Sequence, residues 1–241
     1  MGPYENIVIG NFLYSLGLLV GRSSNGASAP LCVNLMQQTP LDQALGDVML
    51  ANEGVLRLLE FKRSTASVQK EVTKRQLLER ALASDKSMLA ISREVHWYIE
   101  SEDICGSFSA NAIPYLDFEM RQLPRRPMES FTEEVAAAAT SSVVSSERRA
   151  LYSEYLELVA FAQGGLQGAS GGLIVCVNAD GVLDYVVLPD LRDIVLDHRL
   201  VCEAYFDGNR QAQLQQGRAR VRSLDGARSA PSFQRGRDFE R

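Results

Sequence analysis

The chain opens with an apolar run, Ile7–Val20, IVIGNFLYSLGLLV. Pro3 and Glu5 stand just before it, where a first helical turn favours a residue without an amide donor and a carboxylate facing the positive end of the helix dipole. The pattern predicts a core helix from about residue 4 to 20, ending at Gly21. It is too short to cross a bilayer, contains Asn11 and Ser15, and has Glu5 as the only preceding charge, which fits neither a membrane span nor an export signal. Residues 21–30, GRSSNGASAP, read as a loop, followed by a short apolar piece at 31–36.

A hairpin pattern comes next. GDVML at 46–50 reads as a short strand, ANEG at 51–54 as a turn, and VLRLLEFK at 55–62 as a longer strand. Residues 67–84 are polar, with apolar Val68, Val72, Leu77, Leu78 and Leu82, and read as an amphipathic helix. SMLAIS at 87–92 reads as a buried strand, and Val95–Ile99 as a further strand or a helical turn. The stretch 104–128 holds three prolines and has irregular patterning. Ser130-x-x-Glu133 has the form of a capping box before a helix at 131–140. A second helix is expected at 146–163, ending at Gly164-Gly165. A glycine-rich loop covers 164–172, a hairpin is formed by 173–177 and 182–188, and a short helix lies near 190–205.

The 241 residues carry 25 basic and 30 acidic side chains, a net charge of −5, and 46% are hydrophobic. This is a globular balance, and it excludes a protein that grips nucleic acid only through a broad basic surface. From Gly217 onward seven arginines face three acids, so this end is about +4, with few apolar residues; a disordered Arg-rich tail at 217–241 is expected. Cys32, Cys105, Cys176 and Cys202 form no CxxC pair, which excludes a zinc ribbon. One or two disulfides stay open, but reduced core thiols in a cytoplasmic protein are the simpler reading. His96 and His198 are too few for a His-rich metal site; His96, beside Trp97 and Tyr98, reads as packed. The loop at 164–172 lacks the Gly-Lys-Ser/Thr ending of a phosphate-binding loop, and no Ser-His-Asp set has supporting spacing.

The chemistry concentrates on the first hairpin. Strand side chains alternate, so Glu60 and Lys62 share one face with Leu56 and Leu58, and Phe61 shares the other with Val55 and Leu59. Both faces are apolar until two charges emerge at the end of the strand. Asp47, at the start of the first strand, can stand beside Glu60 across the hairpin. Two carboxylates there make a hard oxygen site suited to Mg²⁺ or Mn²⁺, and a metal so held activates water against a phosphodiester. Lys62 can orient or help deprotonate that water, or neutralise the pentavalent phosphate. The structural alternative is a solvated Glu60–Lys62 pair on an edge strand, with Asp47 in a turn.

Asp47, then thirteen positions later Glu60-Phe61-Lys62, on a hairpin between two helices, resembles the PD-(D/E)XK nuclease superfamily. The resemblance covers roughly residues 4–92 and departs from the pattern at Gly46, which stands where a proline often precedes the aspartate. It implies a core of one helix, a three-strand meander, a second helix and a further strand. By it, Asp47 and Glu60 are the metal ligands and Lys62 the catalytic lysine; Glu5 on the first helix and Gln76, Lys70 or Lys74 on the second are accessory candidates. The expected fold is α/β: a restriction-endonuclease-like core with a small mixed sheet flanked by helices over 1–92, then an α+β extension of the same domain over 93–216. The expected function is metal-dependent hydrolysis of phosphodiester bonds, in DNA by this resemblance. For so acidic a chain, the resemblance further implies help from a helicase, an ATPase or a second copy, in a setting such as prokaryotic defence. The competing class is a catalytically inactive nuclease-like protein serving assembly.

Overall fold

A computed structural model describes residues 2–24, 31–36, 46–104, 106–141, 143–163, 172–177, 182–188, 198 and 200–208. The chain divides into Met1–Cys202 and Glu203–Arg241; of the second part only 203–208 are described, and they are helical. The expected tail at 217–241, most of the glycine-rich loop, and Cys105 lie outside the described residues.

The fold is mixed α/β. In chain order it contains α1 (Glu5–Ser23), β1 (Leu31–Leu35), β2 (Val48–Ala51), β3 (Leu56–Arg63), α2 (Gln69–Leu82), α3 (Lys86–Val95), β4 (His96–Ile104), β5 (Ser107–Pro114), a 3₁₀ turn (Tyr115–Asp117), β6 (Arg126–Pro127), α4 (Met128–Ser141), α5 (Ser146–Gln163), β7 (Gly172–Val177) and β8 (Leu183–Leu188). The strands form one sheet in the order β6-β5-β4-β3-β2-β1-β7-β8. Only β3 and β4 pair in parallel; every other neighbouring pair is antiparallel. The sheet is therefore larger than the small one expected, and it draws strands from both sides of residue 92.

The two sides of the sheet are built differently. α1 contributes Val8, Ile9, Phe12 and Leu16, spaced as one helical stripe, and α4 contributes Phe131, Val135, Ala136 and Ala139. They close over Val48, Leu50, Leu59, Phe61, Trp97, Ile99, Ala110 and Ala112 to make a mainly apolar layer, with Arg57 on the same face of β3 reaching Glu134 of α4 at 3.8 Å. Phe12 meets Phe61 at 5.7 Å and Phe131 at 6.3 Å, and Phe131 meets Trp97 at 4.8 Å between ring centres. The opposite face, with Leu58, Glu60, Lys62, His96 and Tyr98, lies under α2, α3 and α5.

The elements depart from the sequence expectation in instructive places. SMLAIS is not a strand but the middle of α3, whose buried Met88, Ile91, Ser92 and Val95 follow an i, i+3, i+4, i+7 pattern. Asp85 caps it, accepting from the amides of Ser87 at 2.8 Å and Met88 at 3.0 Å. The fourth strand of the core is instead β4, which begins at His96, directly after α3. α1 continues through Gly21 to Ser23, with Arg22 favourably placed in its last turn. α4 starts at Met128, directly after Pro127, so Ser130 lies inside the first turn and is not the cap. The irregular stretch 104–128 supplies β5, the 3₁₀ turn and β6. Of the expected helix near 190–205, residues 198 and 200–205 are helical, and 190–197 and 199 lie outside the described residues. Cys32, Cys176 and Cys202 are buried thiols.

Candidate active site

β2 and β3 pair through Val48↔Leu59 and Met49↔Leu58, and one further step of that register sets Asp47 opposite Glu60. The Asp47 amide donates to the Leu59 carbonyl at 2.9 Å, and its carboxylate Oδ2 accepts from the Phe61 amide at 2.7 Å. Asp47 thus holds the hairpin end by backbone and side chain together. Gly46 makes this junction possible. Its φ is +101°, and a Cβ there would lie 3.0 Å from the Leu59 carbonyl oxygen and 3.3 Å from Glu60 Oε2. Gly46 is thus a site of close backbone approach.

Glu60 does not emerge into solvent as the strand pattern suggested. It is 2% exposed and Asp47 4%. Lys62 Nζ lies 2.6 Å from Glu60 Oε1, two residues along the same face of β3. Across from them, Glu71 in the first turn of α2 is also buried; it pairs with Lys74 at 3.1 Å and accepts a hydrogen bond from the Tyr115 hydroxyl at 2.9 Å. Glu5, at the start of α1, accepts from the Arg63 amide at 3.3 Å. These groups surround a cleft of about 380 Å³ at the end of the sheet, between the N-terminal turns of α1 and α2.

The electrostatics of the cleft are unbalanced toward negative charge. Burial pushes the Glu60 carboxyl up to about 8, and the charges of Asp47 and Glu71 push the same way, outweighing Lys74 and Lys62. Burial by itself lowers the pKa of Lys62, but attraction and hydrogen bonding to Glu60, with Asp47 and Glu5 behind, hold it above its ordinary value and fully charged. The hydroxyl of Tyr98, the residue paired with Glu60 in the β3–β4 ladder, is buried with no hydrogen-bond partner among the described residues.

Of the residues singled out in the sequence, Asp47, Glu60, Lys62 and Glu5 come together, and Lys70 and Lys74 line the same cleft. Gln76 does not: it is exposed on α2 and absent from the lining. Glu71 was missed. Its signal was its spacing, seven residues before Leu78 and eleven before Leu82, which places a carboxylate on the buried stripe of an otherwise polar helix. Tyr115 was missed because it lies in the proline-containing stretch that has no periodicity. His96 is packed as expected: it stacks on Tyr115 at 4.2 Å, its Nδ1 lies 3.1 Å from the Tyr155 hydroxyl, and burial lowers its pKa to about 3. Among the described residues, no three His, Cys, Asp or Glu side chains are gathered closely enough to hold a metal ion between them, and no helix is long and apolar enough to cross a membrane. No family model, curated protein or solved structure matches the chain.

Proposed function

We propose that the chain is a metal-dependent nuclease hydrolysing phosphodiester bonds in DNA, built on the plan of the PD-(D/E)XK superfamily. The observation that carries this reading is the meeting of Asp47, Glu60 and Lys62 in one cleft, with Glu60 driven toward protonation by burial and, behind it, by two neighbouring carboxylates. The order of elements supports it in part: α1, the β1–β2–β3 meander, α2, an additional helix α3, and then β4 beside β3.

The donor set fits a divalent cation. Asp47 and Glu60 offer hard carboxylate oxygens, and Mg²⁺ is commonly held by one or two carboxylates with water and substrate phosphate completing its sphere. Asp47 and Glu60 are the residues that would hold Mg²⁺ or Mn²⁺. When bound, such an ion supplies Lewis-acid charge at the phosphate and makes water a stronger nucleophile. Lys62, fixed on Glu60, directs its other N–H donors at the attacking water or at the phosphate oxygen that gains charge. Lys70 and Lys74 face the same space and receive non-bridging phosphate oxygens. With a chain charge of −5, further grip on the substrate falls to a partner such as a helicase or ATPase, or to a second copy, and prokaryotic defence is one setting for such an assembly.

A second reading has its own observation. The 2.6 Å Lys62–Glu60 pair is already charge-matched, as in a catalytically inactive nuclease-like protein that uses the fold for assembly. Two measurements separate them. Linear, circular and single-stranded DNA, and RNA, are incubated with Mg²⁺, Mn²⁺ or a chelator, beside Lys62→Ala. Thermal melting is followed with and without Mn²⁺, beside Asp47→Ala. The nuclease cuts only with metal and Lys62, and gains melting temperature from Mn²⁺ only with Asp47. An inert assembly subunit shows neither.

A further inference from the structure

The cleft's mouth says what form of DNA can reach its floor. Asp47 and Glu60 are 4% and 2% exposed and lie in an open cleft of about 380 Å³. A base inside a duplex is already stacked on its neighbours, and taking it out of that stack to lie on a protein side chain has an energetic cost. A strand that is already unpaired avoids that cost.

The rim provides a second, independent indication. Tyr4, just before α1, lines the cleft and is 61% exposed. The guanidinium of Arg63, at the end of β3, lies over its ring at 5.0 Å from the centroid. The backbone amide of Arg63 donates to Glu5, which lines the same cleft. Tyr4 is an aromatic plane at the entrance, with Arg63 against one face and most of the side chain open to solvent. Such a plane suits a nucleobase, because every base has a face to stack and the interaction does not depend on sequence. With a net charge of −5, stacking also provides grip that does not require a broad basic surface.

We infer that the cleft takes single-stranded DNA, with an unpaired base stacked on the Tyr4–Arg63 platform and the adjoining phosphate lowered between Lys70, Lys62 and the Asp47–Glu60 pair. The inference rests on the hydrolase reading above and adds the substrate form to it.

The test uses the full chain and a fluorescein-labelled oligothymidylate 12-mer, alone or as a duplex with its complement. Binding is measured in Ca²⁺ by anisotropy, and cleavage of the same oligonucleotides in Mn²⁺. The single strand is expected to bind at least about tenfold tighter than the duplex. Tyr4→Ala should weaken single-strand binding roughly ten- to a hundredfold, and Tyr4→Phe, which keeps the ring, should restore it. Equal binding of duplex and single strand, or a Tyr4→Ala variant within twofold of the parent, overturns the inference. The cleavage arm keeps the two readings apart. If DNA is cut through Lys62 without any dependence on Tyr4, the stacking platform is wrong and the nuclease stands. If binding depends on the Tyr4 ring but nothing is cut, the platform stands and the nuclease reading fails.

Discussion

The two faces of β3 and β4 have nearly the same burial and opposite chemistry. Leu59, Phe61, Trp97 and Ile99 point into a mainly apolar layer closed by α1 and α4, where the buried Arg57 reaches Glu134 at 3.8 Å. Their neighbours in sequence, Leu58, Glu60, Lys62, His96 and Tyr98, point to the side where buried carboxylates, an ammonium, an imidazole and tyrosine hydroxyls meet under α2, α3 and α5. The first face repays the entropy of ordering the chain by removing carbon from water. The second leaves charge in a low-dielectric setting, which costs stability unless each group is paired and makes each group reactive. Tyr115 ties the second face together, stacking on His96 while donating to Glu71.

Substitutions that act on one face and spare the other sharpen this contrast. The largest effect belongs to the apolar face. Phe12→Ala, at the meeting point of Phe61 and Phe131, should lower unfolding free energy by about 3–5 kcal/mol in a denaturant titration while leaving the cleft's Mn²⁺ response in the molecules that remain folded. Loss of that response at full stability would show that the two layers are not separable.

The polar face should reveal itself in the pH dependence of stability without metal. Folding raises the Glu60 pKa from 4.5 to about 8, so between these values the folded protein holds a proton that the unfolded chain has lost, and stability falls as pH rises. Folding lowers the His96 pKa from 6.5 to about 3, so between these values the unfolded chain binds a proton that the folded one refuses, and stability falls as pH drops. The two offset each other from 4.5 to 6.5. Above 6.5 the Glu60 limb stands alone, with a slope of at most about 1.4 kcal/mol per pH unit, and below 4.5 the His96 limb does. Glu60→Gln should flatten the alkaline limb and His96→Gln the acid one, read as slopes from urea titrations across pH 3.5–8.5. A wild-type profile that each variant merely shifts without changing slope would contradict the assignment.

Gly46→Ala tests the junction between the faces. The strained backbone and the 3.0 Å approach to the Leu59 carbonyl should cost about 1–3 kcal/mol, and Mn²⁺ stabilisation should weaken because Glu60 Oε2 must move. Gln76→Ala is the smallest perturbation: on the exposed side of α2 it should stay within about 0.5 kcal/mol in melting and leave cleavage unchanged.

Much of the fold was readable where one physical signal dominated. The β2–β3 hairpin, α1, α2, α5 and the β7–β8 hairpin follow from periodicity and turn residues. α3 was misread because a run of four apolar residues, MLAI, has no period of its own; its helical spacing shows only when Asp85, Ser92 and Val95 are included. Of the site, Asp47, Glu60 and Lys62 were legible because charges at the end of an apolar strand are conspicuous. Glu71 and Tyr115 were not, since a single carboxylate on a polar helix and a tyrosine in an irregular stretch look ordinary until their neighbours are known.

The sequence by itself determined the alternation along β3, and so which residues share the face with Glu60. That is a local property, dictated by a two-residue period and by the cost of exposing Leu58, Leu59 and Phe61. Only the tertiary structure decided that β4 lies parallel beside β3, that α2 delivers Glu71 and Lys74 opposite Glu60, and that the Glu60 carboxyl is buried among like charges. Burial and electrostatic coupling depend on everything packed nearby, and the groups that raise the Glu60 pKa come from β2 and α2, distant enough in sequence that no local pattern records their meeting.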